Sequence, residues 1–476
     1  MEQKKRSNLK KTVSPSWAWA IAFGSSIGWG AFILPSDWIG QAGSIGAMIG
    51  IGIGTLIMMM IATCYGVLIR LFPVSGGGYT YAYISAGRHW AFFTGWFMVL
   101  GYASIVALNA SAFTLLLKYL FPSFMNEGYL YTIAGWEVFL PEVLIASGMI
   151  LLFAYFNIKG ASVSGKLQLV CSVILGLCVL FMGSYTLLYA EQPLQNIKPH
   201  FVDGQSVVVS ILTVLAIAPW AFVGFDNVPQ SAEEFNFSTK KITKLIVLSL
   251  VASGLVYIIM IGVASWTYEI TTFQESSNLW GIGSIIQSAL GKVGVVILSI
   301  AIVMGIFTGL NGFLNSSSRL LYSMARGKAL PEFYCDLHPK YGTPYKATLF
   351  IAIIMVPTTW FGRPALSWIV DMSSVGVTVG YLFTCITAYK HLSWRFTDGL
   401  VFSPAKKMIA LLGIIASFIF LLLLVLPNSP AVLETPSFVA LIGWMILGAT
   451  FYFKIYKTYS TIDEADLKYY ILNQSK

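Results

Sequence analysis

The stretch WAWAIAFGSSIGWGAFILP, residues 17–35, decides the fold of this chain. It is apolar over the length of a membrane span, yet its middle contains Gly24, Ser25, Ser26, Gly28 and Gly30. Glycine destabilises the interior of a helix because it has more backbone freedom to lose than other residues. We therefore expect a membrane-spanning helix that is broken at mid-depth.

A second stretch of this kind, ILTVLAIAPWAFVGFDNVP at residues 211–229, places two prolines, Gly224 and Asp226 within an apolar span. Matching broken segments in two halves of a chain are typical of inverted-repeat transporters, which bind their substrates at the breaks. Unwound backbone is tolerated in a bilayer only where it is buried or lines a cavity. Its free N–H and C=O groups can then bind a ligand, and the helix end near Trp29 suits a carboxylate.

The glycines also have a purely structural interpretation. Gly24 and Gly28 are four residues apart, a spacing that lets neighbouring helices pack closely. On the glycines alone, packing is the better interpretation. The second break, which contains an acidic residue, reverses that preference in favour of a binding site.

The composition places these breaks in a membrane protein. Of the 476 residues, 57% are hydrophobic and 10% are charged, and the mean hydropathy is +0.76. A soluble domain has about 25% charged residues, so a soluble enzyme, a disordered chain and a fibrous repeat are excluded. We predict an all-α integral membrane protein with apolar segments near 16–41, 44–72, 90–121, 138–158, 165–190, 206–235, 242–268, 293–324, 347–362, 365–389, 404–426 and 437–456.

The basic residues indicate the orientation of these twelve segments. With both termini in the cytoplasm, 25 of the 29 Lys and Arg residues lie in cytoplasmic segments, and only Lys118, Lys198, Lys292 and Arg363 lie outside. Membrane proteins keep an excess of Lys and Arg in the cytoplasm, so the net charge of +9 reflects topology and not a nucleic-acid partner. We expect a multi-pass protein of a bacterial-type plasma membrane, with its first span retained.

The predicted domain organisation follows from the two breaks. Two five-helix halves of inverted topology are followed by two carboxy-terminal helices. The boundaries are 1–15 for the cytoplasmic amino-terminal tail, 16–190 and 191–392 for the two halves, 404–456 for the last two helices and 457–476 for the cytoplasmic tail.

Cofactor chemistry has little support in the sequence. The five cysteines form no CxxC pair, and four of them lie within apolar runs, which is typical of small packing residues. The four histidines lie in or beside polar loops. No catalytic residues, cofactor or metal are expected, and no paired-carboxylate or Ser/His/Asp cluster supports a membrane enzyme.

Four motifs carry a family resemblance. IGWGAFILP at 27–35, PVSGGGYTYAY at 73–83, WAFVGFDNVPQSAEE at 220–234 and TGLNGFLNSSSRLLYSMARGKALPEF at 308–333, with HPKYGTP at 338–344, resemble motifs of the amino acid–polyamine–organocation permeases. The resemblance implies the twelve-helix leucine-transporter fold with a 5+5 inverted repeat. It also implies that the chain moves an amino acid or related amine by alternating access.

The resemblance also implies a set of substrate-binding residues. The backbone of Gly28, Trp29 and Gly30 would hold the substrate carboxylate. The carbonyls of Ser26, Ile27, Trp220 and Val223 would receive the ammonium group, and Phe313 would be an aromatic gate, as would Trp220. Phe225 and Asp226 complete the predicted set.

Three departures from the family pattern matter. Trp29 stands where the family has a small residue between two glycines, and its indole either shrinks the pocket or turns towards lipid. Motif alignment places Leu175 where some proton-coupled members have a fifth-span lysine. The predicted outer loop at 122–137 has no cysteine, so no disulfide-linked ancillary subunit is expected; a homodimer is left open.

Several polar residues keep two interpretations. Asp226 either serves function, as the best remaining proton-sensitive group, or pairs with a neighbouring helix end. Asn109 and Asn315 either line the cavity or bond between helices. Glu233 and Glu234, near Lys240 and Lys241, form either a solvated linker or an inner gate, and Asp371 forms either an external gate or a solvated helix start.

The leading function is a secondary amino-acid transporter, working as an exchanger or a proton symporter. An amine or polyamine carrier is the alternative within transport. An amino-acid receptor that does not transport is the alternative from another class.

Overall fold

The apolar segments predicted from the sequence are helices in the computed structural model. It describes residues 9–474 except 191, 268–280, 363, 394–403, 428, 430 and 431. Residues 1–8 of the predicted amino-terminal tail, and Arg363 of the predicted outer surface, therefore lie outside the described residues. Apart from turns and connecting loops, the described chain is helical, with one β-hairpin.

The helices of the first half are α1 Pro15–Ile27, α2 Pro35–Ala42, α3 Ser44–Leu71, α4 Gly78–Ala86, α5 Arg88–Leu120, α6 Pro122–Met125, α7 Leu140–Ile158, α8 Ala161–Tyr189 and α9 Pro193–Asn196. The later helices are α10 Val207–Leu215, α11 Ala218–Ala221, α12 Ile242–Thr267, α13 Gly281–Arg326, α14 Tyr345–Met355, α15 Pro364–Ser393, α16 Pro404–Val425, α17 Thr435–Thr461 and α18 Glu464–Leu472. Short 3-10 helices at Gly30–Phe32, Phe225–Glu234, Thr239–Lys241, Glu332–Cys335 and Val356–Phe361 connect some of them.

Ten helical segments of the described chain are long and apolar enough to cross a membrane, with Val207–Glu234 as one of them. The chain is therefore a multi-pass membrane protein. The first and ninth of the twelve predicted segments are missing from these ten, because a span takes about 20 residues and each is divided into shorter pieces. The first is broken between α1 and α2, and in the ninth α14 gives way to the 3-10 helix Val356–Phe361.

The predicted outer loop contains a β-hairpin that the sequence analysis did not anticipate. Strand β1 Tyr129–Ile133 pairs antiparallel with β2 Trp136–Phe139. The connecting residues Ala134 and Gly135 both have positive φ, of 48° and 78°. Two-residue turns of this kind match the twist of paired strands, and the pair Ile133 and Trp136 flanks the turn.

The helices differ in how deeply they are enclosed. Over an apolar stretch of 18 residues, α5 has 94% of its residues buried, whereas the corresponding stretch of α17 has 6%. Helix α5 packs against α13 and α15, and α1 packs against α8, α12 and α13. Helices α1 and α5 therefore lie inside the bundle, while α17 lies at its edge.

The carboxy-terminal residues, predicted as a tail, extend the fold. Helix α18 buries Leu467 and Ile471, and it contacts α13. The guanidinium of Arg88 donates hydrogen bonds to the carbonyls of Tyr459 and Ile462 at 2.7 and 3.0 Å. These contacts hold the end of α17 and the start of α18 against the bundle.

Candidate functional site

The first break lies where the sequence predicts it. Helix α1 ends at Ile27, and Gly28 follows with φ 52° and ψ −150°. Positive φ is readily adopted only by glycine. Helix α13 packs directly on this break, because a Cβ added at Gly305 would lie 2.2 Å from the Gly28 carbonyl oxygen. The unwound backbone is thus enclosed by protein, as the bilayer requires.

The second break lies against the first. Helix α10 ends at Leu215, α11 adds one turn, and Gly224 adopts φ 125° before the 3-10 helix Phe225–Glu234. A Cβ added at Gly224 would lie 2.5 Å from the carbonyl carbon of Ser25. The second break therefore packs backbone to backbone on the last turn of α1, next to the first break, and only glycine permits the approach.

A small cavity of about 30 Å³ opens where the breaks meet. Eight of the predicted binding residues line it: Ser26, Ile27, Gly28, Trp29, Gly30, Trp220, Val223 and Phe313. The rest of the wall comes from Ser25, Ile105, Leu108, Asn109, Ala221 and Tyr257. Because a water molecule needs at least about 10–15 Å³ of such space, this volume holds a few waters, and an amino acid requires the wall to move.

Two predicted residues lie behind this wall. Phe225 is fully buried, with its ring centroid 5.7 Å from that of Tyr65 and 5.5 Å from that of Tyr381. Asp226 is also fully buried. Its carboxylate accepts hydrogen bonds from the Gly224 backbone N–H at 2.8 Å and from the Tyr102 hydroxyl at 2.7 Å. In this conformation Asp226 holds the second break in place, and its contact with substrate stays a prediction.

The indole of Trp29 turns into the protein. Trp29 is 8% exposed, and its ring lies edge-on to that of Trp220 with centroids 6.3 Å apart. Of the two orientations that the sequence left open, the structure has the one that narrows the pocket.

The cavity wall contains polar atoms without partners. Among the described residues, Trp220 Nε1 and Asn109 Oδ1 are buried and make no hydrogen bond. Gly30 begins a short helix, and the first N–H groups of a helix have no intrahelical acceptor. Buried polar groups are normally paired, so this wall presents donors and acceptors that a bound zwitterion can satisfy.

Tyr257 of α12 is a residue of the cavity wall that the sequence analysis missed. Its hydroxyl donates to the Ala221 carbonyl at 2.6 Å and lies 3.2 Å from the Ile27 carbonyl oxygen. It thereby links the two breaks. A single tyrosine in an apolar span belongs to no motif, so the sequence contained no signal for it.

The fifth span, α8, contacts the site through an amide. Gln168 Nε2 lies 3.2 Å from the Thr308 carbonyl oxygen and 3.4 Å from Ser25 Oγ. Asn311 Nδ2 donates to Gln168 Oε1 at 2.7 Å. Leu175, at the position chosen by motif alignment, is buried in the same helix. A neutral amide thus ties α8 to the first break and to α13.

Two buried ion pairs join the 3-10 helix Phe225–Glu234 to α13. Glu234 receives hydrogen bonds from Arg319 Nε and, at 3.0 Å, from Nη2. The Glu233 carboxylate accepts hydrogen bonds from Arg326 Nη1 and Nη2 at 2.8 and 2.7 Å. The interpretation of these glutamates as a solvated linker is therefore wrong, since both carboxylates pair with arginines of α13 and not with the nearby lysines. The interpretation as an inner gate remains a prediction.

The other residues with two interpretations also make definite contacts. Asn315 Nδ2 donates to Ser231 Oγ at 3.1 Å, so it bonds between elements. Asp371 Oδ2 accepts from the Glu434 N–H at 2.9 Å and from Ser437 Oγ at 2.7 Å. Asp371 therefore stabilises the amino-terminal end of α17, where the first N–H groups lack acceptors.

Comparisons with known proteins agree with this architecture. A family model described as amino acid permease matches residues 14–450. The methylthioribose transporter of Bacillus subtilis is 23% identical and covers 97% of both chains. The branched-chain amino acid permease of Bacillus subtilis is 26% identical, over 72% of this chain and 73% of that one. The human large neutral amino acids transporter small subunit 2 is 27% identical, over 72% of this chain and 63% of that one.

Proposed function

The chain belongs to the amino acid permease family of the amino acid–polyamine–organocation superfamily, and from this premise we propose that it transports an amino acid across a membrane by alternating access. The observation that carries the proposal is the cavity between the two breaks. Its wall combines carbonyl oxygens, helix-terminal N–H groups and an unpaired indole N–H. A zwitterion needs acceptors for its ammonium group and donors for its carboxylate, and this wall supplies both.

We include in the proposal the leucine-transporter fold, with twelve spans, a 5+5 inverted repeat and both termini in the cytoplasm. The division of the first and ninth segments into short pieces accounts for the two predicted spans that are missing from the ten membrane-length segments. The uneven distribution of Lys and Arg supports the orientation. On this orientation, the Glu234–Arg319 and Glu233–Arg326 pairs close the cytoplasmic end.

A carrier of amines that lack a carboxylate is the weaker alternative. None of the lining residues that the structure describes has an acidic side chain, and the nearest candidate, Asp226, bonds to Gly224 and Tyr102. A simple amine would therefore be buried without a counter-charge, which is unfavourable. The names of the relatives include amino-acid permeases and a methylthioribose transporter, all of them transporters.

The test combines binding with flux. We expect at least one amino acid to raise the melting temperature of the purified protein, because a ligand that binds only the folded state stabilises it by mass action. The same amino acid should enter proteoliposomes, saturate, and show counterflow. Binding without flux would indicate a receptor, flux without saturation or counterflow would indicate a channel, and stabilisation only by amines would favour the alternative carrier.

Gly30→Leu should abolish substrate binding while leaving folding largely intact. Already a Cβ at this position would lie 3.2 Å from the Trp220 ring, and a longer side chain extends into the cavity. The measurement is the amino-acid-induced shift in melting temperature. Gly148→Leu is the matched control, because a Cβ there meets no atom within 4 Å. Normal affinity in Gly30→Leu would remove the first break from the site.

Asp226→Asn should flatten the pH dependence of transport if protons are coupled to substrate movement. The titratable groups that face Asp226 are tyrosines, Tyr65, Tyr102 and Tyr381. Protonation of Asp226 would weaken its hold on the Gly224 N–H, whereas asparagine does not titrate. Uptake and exchange are measured in liposomes over a series of pH values. An unchanged pH profile in the variant would make Asp226 structural, and a flat profile in both proteins would favour a pH-indifferent exchanger.

A further inference from the structure

We propose that the cavity selects neutral amino acids with small side chains, and that Trp29 is the residue that excludes larger ones. This inference rests on the proposed function, because it specifies the substrate of the same site. It concerns a residue at which this chain departs from the family pattern of a small residue between two glycines.

The first step concerns charge. Of the lining residues that the structure describes, none has an ionised side chain, and the one titratable group, the Tyr257 hydroxyl, donates to the Ala221 carbonyl. The α-ammonium and α-carboxylate of an amino acid can be accommodated by backbone groups at the breaks. A third charge, on a lysine or glutamate substrate, would be buried without a partner, which is strongly unfavourable. The substrate is therefore neutral overall.

The second step concerns the shape of the wall. Ile105, Leu108, Trp29, Trp220 and Phe313 surround the space that the unwound backbone leaves open. The volume of the cavity between these side chains is about 30 Å³. These apolar side chains favour an apolar substrate side chain but leave little room for it.

The third step assigns the restriction to Trp29. Its backbone has φ −88° and ψ −18°, an ordinary helical conformation that any residue adopts, so the backbone does not require tryptophan. The indole is nevertheless 8% exposed and lies edge-on to Trp220. Because Trp29 lies on the break itself, between Gly28 and Gly30, its side chain occupies the space next to the groups that bind the substrate's charged ends. A substrate with a long side chain must displace it.

A volume series at position 29 tests the inference. Wild type, Trp29→Phe and Trp29→Ala are purified and compared by thermal shift and by uptake into proteoliposomes. The probes are glycine, alanine, serine, leucine, phenylalanine, lysine and glutamate. A difference of one or a few methylene groups in an apolar pocket discriminates by about tenfold or more. We expect wild type to favour alanine over leucine by at least about tenfold, and Trp29→Ala to remove most of that preference.

The preference of Trp29→Phe for alanine over leucine should fall between those of wild type and Trp29→Ala. If Trp29→Ala does not fold, the comparison of wild type with Trp29→Phe still tests the inference. Trp90→Ala is the control for loss of a tryptophan, because Trp90 is 51% exposed and lies outside the cavity wall. It should keep the wild-type ranking of substrates. Lysine and glutamate should be poor substrates for all four proteins.

The outcomes separate this inference from the proposed function. Equal uptake of leucine and alanine by wild type would overturn the inference, as would an unchanged ranking in both Trp29 variants. Uptake of lysine equal to that of alanine would overturn the assignment of neutral substrates. If folded wild-type protein bound and transported none of the amino acids, the proposed function itself would fail.

Discussion

Replacing Gly224 with alanine should abolish substrate binding and transport. The Cβ of alanine would lie 2.5 Å from the Ser25 carbonyl carbon and 2.6 Å from its oxygen, both of them backbone atoms. The φ of 125° is in addition strained for any residue with a side chain, at a cost of about 1–3 kcal/mol. Because neither backbone can yield cheaply, the two breaks must separate, and the cavity between them is lost.

The measurement is the amino-acid-induced thermal shift together with uptake into proteoliposomes. Gly52→Ala is the control, since a Cβ there meets no atom within 4 Å and Gly52 lies in the regular helix α3. A Gly224→Ala protein with wild-type affinity would show that substrate does not bind where the breaks meet. A folded variant without binding would support the proposed site.

The breaks could be predicted from the sequence because their cause is local. Gly28 and Gly224 have positive φ, which only glycine readily adopts. Glycines within an apolar span therefore indicate where its helix breaks. The side of the protein to which Trp29 turns was not predictable. It depends on the space beside Trp220, a residue 191 positions away in the chain.

The ion pairs show why neighbours in sequence mislead. Glu233 and Glu234 lie within eight residues of two lysines, and the sequence suggested a solvated cluster. In the structure their partners are Arg319 and Arg326, which are 85 and 93 residues away on α13. Only the packing of the second broken segment on α13 brings these groups together.

The contacts of α8 also depend on packing that the sequence does not reveal. Leu175 and Gln168 are seven residues apart, close to two helical turns, so they lie on nearly the same face of α8. A motif alignment cannot say which of the two reaches the first break. Both residues are fully buried, and hydrogen bonding identifies Gln168, through its contacts with Thr308 and Ser25.

Arg319→Met should produce the largest loss of stability of the substitutions considered. Arg319 and Glu234 are among the most buried charged residues described, with 1% and 3% of their surfaces exposed. Removing the arginine leaves the Glu234 carboxylate buried without its partner, and breaking a buried pair in this way costs about 3–5 kcal/mol. The melting temperature of the purified protein should fall accordingly.

The double variant Arg319→Met with Glu234→Leu separates the ion pair from the packing around it. Replacing both members of a buried pair with apolar residues is often neutral, so the double variant should recover much of the lost stability, and a double-mutant cycle measures the coupling between the two residues. Lys328→Met is the control, because its pair with Glu332 is exposed and such pairs contribute about 0–1 kcal/mol. If the double variant is as unstable as Arg319→Met alone, Arg319 stabilises α13 through other contacts, such as that of its Nη1 with the Asn315 carbonyl. If stability returns but transport does not, the pair acts as a gate. Alternating access requires the two ends of the bundle to close in turn, and without the pair one end can no longer be held closed.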